Sequence, residues 1–218
     1  MLVIVALAIV SFANAQKGTI LVGGSIGYSS ETRTLGNNEV KNNEFDFSPK
    51  VGYQFHESWT VGGEASFGSS KTKQGTNEDK FNTTKLGAFL RYTMPLNPTF
   101  SFFAELGLGY QAEKDKTYAG PITTTAEGDG MYVGVTPALF INMKKGFGLN
   151  FNIGGLNYGT INYENNGPEY KNFDFNFGRT FNIGVSKNFY SKLYFNFEKA
   201  SATADDFFLQ FLFDFLIF

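Results

Sequence analysis

Between residues 173 and 189 the chain alternates with almost no interruption. Phe173, Phe175, Phe177, Arg179, Phe181, Ile183, Val185, Lys187 and Phe189 occupy one parity, and Asp174, Asn176, Gly178, Thr180, Asn182, Gly184, Ser186 and Asn188 the other. Successive side chains of a strand point to opposite faces, so one face here is aromatic and aliphatic while the other is polar or bare. A soluble antiparallel sheet shows the same alternation with its apolar face on a core. The number of such strands, their length and their connections separate the two readings.

Eight alternating segments can be marked, at about 19–29, 43–55, 59–69, 80–94, 99–111, 130–141, 146–158 and 173–189. The second sets Phe45, Phe47, Val51, Tyr53 and Phe55 opposite Glu44, Asp46, Ser48, Lys50 and Gln54, and the fifth sets Phe100, Phe102, Leu106, Leu108 and Tyr110 opposite Ser101, Glu105, Gly107 and Gly109. Each reaches or exceeds the roughly 9–11 residues that a tilted strand needs to cross a bilayer, whereas strands of globular proteins average about 5–6. Long polar connections are expected near 30–42, 70–79, 112–129 and 159–171, and short ones at 56–58, 95–98 and 142–145. Short turns at one end and long loops at the other are the pattern of a membrane barrel. The segments therefore predict an all-β, transmembrane, antiparallel up-and-down barrel of eight strands.

Composition agrees. The chain holds 26 Phe and 11 Tyr at a mean hydropathy of only −0.17, so its aromatics must be gathered on one face. It has no cysteine, which excludes disulfides and thiolate metal sites. A net charge of −2 without a basic stripe gives no reason to expect nucleic acid. At the start, an apolar run from Leu2 to Phe12 precedes Ala13-Asn14-Ala15, which predicts a cleaved signal peptide over 1–15. The barrel is then expected over 16–189, leaving 190–218 as an atypical C-terminal extension. The alternative is a ten-stranded barrel in which about 192–198 and 207–217 form a further hairpin ending on Phe218.

Several stretches resemble the small outer-membrane β-barrel proteins of Gram-negative bacteria, the porin-like outer membrane protein β-barrel domain group. They are Ser48-Pro49-Lys50-Val51-Gly52-Tyr53, Thr136-Pro137-Ala138-Leu139-Phe140, Gly154-Gly155-Leu156-Asn157-Tyr158 and the close at Phe181–Phe189. The resemblance covers about residues 1–189. It implies a multi-pass barrel of the cell outer membrane with a periplasmic N-terminus and a structural or porin-like role. It also implies contact with outer-membrane lipid and lipopolysaccharide, and delivery by periplasmic chaperones and the barrel-assembly machinery. A monomer is expected.

The inward rows carry Lys50, Glu64, Lys85, Arg91 and Glu105. Pairing strands two and three around Glu57 sets Lys50 directly opposite Glu64, and Arg91 is expected to approach Glu105 diagonally. Buried charges need partners, so these residues are expected to form an ionic network that plugs the lumen. The rival is a narrow gated pore whose ion pairs rearrange. Outward, Tyr53, Tyr92 and Trp59 lie beside the short turns and Tyr28, Tyr110, Phe67 and Phe81 toward the long loops, the places of two aromatic girdles at the membrane interfaces. Arg179 stands alone in an outward row, where a charge costs roughly 2–4 kcal/mol at mid-membrane and about 0–1 near an interface. It is expected at the outer-leaflet level, touching lipopolysaccharide phosphate or simply snorkelling.

Catalysis finds little support. The single histidine, His56, belongs to a short turn on the periplasmic side, away from lipid A, and Asp174 and Glu44 read as a solvated rim. No metal-ligand cluster, cofactor motif or nucleophile–base pair stands out. A lipid A-modifying enzyme is thus the weakest reading. A surface adhesin acting through loops 30–42 and 112–129 is the principal alternative to a structural barrel.

Overall fold

The computed structural model describes residues 17–36, 38–165 and 167–190. The signal peptide expected over 1–15 lies outside the described residues, as does the extension expected over 190–218 except for Tyr190, which ends the last strand. Eight strands follow in order: β1 (Thr19–Leu35), β2 (Asn38–Gln54), β3 (Trp59–Gln74), β4 (Asn77–Pro95), β5 (Phe100–Ala119), β6 (Ile122–Lys144), β7 (Phe147–Tyr163) and β8 (Glu169–Tyr190). Each pairs antiparallel with the next, and β1 pairs with β8, so eight strands close the ring. No tenth strand is needed for closure.

The faces follow the alternation. Ile26 on β1 is 72% exposed and Phe175 on β8 is 60% exposed, with Phe173, Phe177, Leu86, Leu108 and Ile183 comparably bare on the outside. A soluble barrel would leave such a surface in water; a bilayer covers it. On β3, Trp59 to Phe67 spans about 27 Å of strand at ~3.4 Å per residue. A tilt of roughly 40° leaves about 21 Å along the membrane normal, most of the ~25 Å apolar band of membrane barrels.

The long polar connections expected from the sequence are mostly strand. Strands run from 16 residues in β3 to 23 in β6, well past the alternating segments. Leu35 pairs with Asn38, Gln74 with Asn77 and Ala119 with Ile122, so two-residue turns replace the loops expected at 30–42, 70–79 and 112–129. Only Glu164–Pro168 remains of the fourth. The reason is physical: beyond the bilayer both faces meet water, so alternation fades although the ladder continues. Gly75 and Gly120 take positive φ (60° and 61°) at the first turn position, and Pro121 supplies the fixed φ that suits the second.

The closing seam differs from the other joins. The β5–β6 ladder runs from Phe100–Ile141 to Ala119–Ile122, while that of β1 with β8 covers only Thr19–Gly24 against Val185–Tyr190. The β7–β8 register shifts beside Gly178, which has φ of 73°.

Candidate functional site in the barrel lumen

Strands β2 to β5 bring four of the five expected lumen charges together. Lys50 stands opposite Glu64 in the β2–β3 register, with Nζ 3.6 Å from Glu64 Oε2. Its ammonium also donates to Glu105 on β5. Arg91 donates to Glu105 Oε2 from Nε at 2.9 Å and from Nη2 at 2.7 Å. Arg91 and Glu105 are direct register partners, not the diagonal pair expected. The β4–β5 turn is centred further along than its prolines suggested, because Pro95 remains in the ladder opposite Ser101.

Aromatic side chains complete this layer. The Arg91 guanidinium lies 4.0 Å from the Phe103 ring centroid, and Lys50 lies 5.1 Å from that of Phe89. Room for Phe89 comes from bare backbone: a Cβ at Gly62 would fall 2.7 Å from its ring, and one at Gly52 would fall 2.9 Å away. Arg91 is 6% and Glu105 7% exposed. Burial of this kind requires the pairing that is present, because an unmatched charge inside protein is costly.

Tyr132 on β6 joins the group and was not anticipated. Its hydroxyl donates to Glu64 Oε1 at 2.9 Å, and its ring sits 5.3 Å from Lys85 Nζ. Lys85 makes this ring contact and has no carboxylate within ion-pair distance among the described residues. Tyr132 lies in the inward row of its strand, but reaching Glu64 requires crossing the lumen. Parity supplies the face and says nothing about the opposite wall.

The layer divides the lumen. Above it lies a cavity of about 650 Å³ bordered by Asp46, Lys50, Glu64, Lys85, Tyr132 and Asn150, among others. Below it a pocket of about 30 Å³ touches Gln54, Thr60, Phe140 and Asn188. Arg91 and Phe103 border both spaces.

The expected interface residues split in two. Tyr28 and Tyr110 are exposed on the outside. Trp59, expected to face lipid, is 1% exposed and packs with Ala104, Phe55, Leu90 and Tyr92, its ring 4.9 Å from that of Tyr92. Tyr53 and Tyr92 are half-buried. A cluster of large rings on adjacent strands covers its own members, which alternation alone does not reveal. Phe81 pairs with Ser70 and Asp115 in the inward register, so it does not belong to the outer girdle. Arg179 is in β8, but its side chain lies outside the described residues.

His56 occupies the β2–β3 turn, where its Nδ1 accepts from the Ser58 backbone N–H at 3.3 Å. Among the described residues no group of His, Asp or Glu is arranged to hold a metal ion. At the opposite rim, beyond the apolar band, Glu78 on β4 meets Lys71 at 2.8 Å, Lys80 at 3.0 Å and Lys73 at 3.1 Å. Hydrogen bonds from Lys71, then Lys80 and Lys73, hold its carboxyl well below the usual carboxylate range, at about 2.

A family model described as "Outer membrane protein beta-barrel domain" matches residues 1–189. Among solved structures the chain is similar to Ail, the attachment invasion locus protein of Yersinia pestis, at 18% identity and a TM-score of 0.46, covering 79% of this chain and 99% of that one. It is also similar to the N-terminal β-barrel domain of Pseudomonas aeruginosa OprF, at 12% identity and a TM-score of 0.39, over 79% and 98% of the two chains. OprG from the same species matches at 15% identity and a TM-score of 0.35, over 81% and 98%. No curated protein sequence matches the chain.

Proposed function

Because the chain belongs to the outer membrane protein β-barrel domain family, we propose that it serves as an occluded, structural barrel of the outer membrane rather than as an open channel or a catalyst. One observation carries this reading: Arg91 and Phe103 border the cavity on each side of the ionic layer, so the charges sit where a permeating ion would have to pass. An eight-stranded barrel is only just wide enough to be filled by its own side chains. The end with Thr19, Tyr190 and the short turns faces the periplasm, and the strand extensions stand on the outside of the cell. The protein works as a monomer surrounded by outer-membrane lipid and lipopolysaccharide. Periplasmic chaperones and the barrel-assembly machinery deliver it.

Planar-bilayer recording of the full chain tests the reading. The expected record shows no sustained current, and large steady conductance overturns it in favour of a porin-like role with rearranging ion pairs. A second reading, surface binding, rests on the outer rim. There Glu127, Glu164, Tyr163 and Tyr170 border a cleft of about 540 Å³. An adhesin would use this rim and the tips of the hairpins, since 30–42 and 112–129 are ladders and not loops. Cell-binding assays with chains shortened at the hairpin tips distinguish it, because a structural barrel loses nothing by shortening.

A further inference from the structure

The outward face of β3, β4 and β5 carries an arrangement that the lumen does not explain. Above Phe67, the outward positions of β3 are Ser69, Lys71 and Lys73; those of β4 are Asn82, Lys80 and Glu78; those of β5 are Lys114, Lys116 and Tyr118. Five lysines thus share that surface with one glutamate. Register makes the crowding direct: Lys71 faces Lys80, Lys80 faces Lys116, and Lys41 on β2 faces Lys73. Directly opposed residues have Cβ atoms about 4.5–5.5 Å apart, and like charges so placed destabilise a sheet. Glu78 contacts Lys71, Lys73 and Lys80 together, and Lys114 is matched by Glu127 on β6. Lys116 and Lys41 have no carboxylate within ion-pair distance among the described residues. Three ammonium groups around one carboxylate leave surplus positive charge that the protein does not neutralise.

Height on the barrel identifies the anion. Lys71 is four residues beyond Phe67, or about 13 Å along the strand, and tilt reduces this to roughly 10 Å above the last lipid-facing ring. The row Lys71–Lys80–Lys116 crosses three strands, about 10 Å in width. Those side chains point away from the barrel axis, into the headgroup layer of the surrounding leaflet. We infer that this belt binds the phosphate-bearing headgroup of an outer-leaflet lipid, with Lys71, Lys80 and Lys116 as its row and Lys73 and Lys41 flanking it. Charge-assisted contacts to phosphate are the strong members of their class, and an external phosphate turns the opposed lysines from a liability into a site.

The inference rests on the membrane placement proposed above, and its test separates the two. The full chain is inserted into phosphatidylcholine vesicles, and binding is measured to lipid A bearing both phosphates and to the same lipid after phosphate removal. Failure to insert refutes the placement. Insertion with equal binding of both lipids refutes the belt. The expected result is at least tenfold tighter binding of the phosphorylated form, lost in K71Q/K73Q/K80Q and retained in Lys17→Gln at the opposite end of the barrel. Equal binding by the triple variant overturns the proposal. So does displacement of the lipid by an equimolar amount of inorganic phosphate, which would mark a site for free anions. Thermal unfolding supplies an arm that a merely structural role would not produce. Because the triple variant also removes the partners of Glu78, its deficit relative to the parent should be larger in phosphorylated lipid than in neutral detergent. A deficit of equal size in both media overturns the belt.

Discussion

Glu105 holds two cations, Lys50 and Arg91, inside a membrane-embedded cylinder. Removing one member of a buried ion pair costs about 3–5 kcal/mol, so Glu105→Ala should lower unfolding stability in urea by that amount. Lys85→Gln should cost no more than about 1 kcal/mol, because its described contact is with the Tyr132 ring alone. Equal losses in the two variants would mean that the charges do not act as a connected layer. Phe89 tests the neutral part of the same layer. Its ring rests against Gly52, and Gly52→Val should overpack the lumen by about 1–3 kcal/mol. Phe89→Ala introduced into that variant should recover part of the loss in the same urea titration.

At the scale of the strand, the extension of the ladders beyond the membrane changes what a protease would meet. Limited digestion of the folded protein in vesicles should cut first between Glu164 and Pro168, the one outer connection longer than a tight turn. Residues 112–129 should resist, since Ala112–Ala119 and Ile122–Asp129 remain paired through Gly120-Pro121. Early cutting there would restore the loop. The sequence signal explains why this half of the barrel was harder to read. Where one face meets hydrocarbon and the other a polar interior, as along Phe100–Tyr110, the two parities differ in kind and the strand is plain. Where both meet water, as along Glu113–Thr117, nothing in polarity distinguishes a strand from a loop, and only Thr content and a Gly-first turn hint at the ladder. Site residues divide in the same way. Lys50 and Glu64 are joined by one hairpin and could be paired by counting. Tyr132 and Glu64 meet across the barrel, a relation fixed by closure, tilt and stagger together. Trp59 shows a further limit, because assigning it to the outer face was not enough to establish that neighbouring rings would bury it.

The shortest ladder of the barrel is its closing seam, where β1 meets β8 over Thr19–Gly24 alone. The chain has no cysteine of its own, so an engineered link is unambiguous. Val22 and Lys187 face each other there on the outside. Oxidised Val22→Cys/Lys187→Cys should raise the temperature at which the protein loses its folded mobility in a heat-modifiability gel. A matching pair at Leu106 and Val135, inside the full-length β5–β6 ladder, should raise it less. Equal shifts would mean that the seam is no weaker than its neighbours. A cylinder stitched so unevenly has a preferred line of tearing. Heat or mechanical pull should peel the first strand from the last before any other neighbours part, so the order of dismantling is already set by where the two ends of the sheet were sewn together.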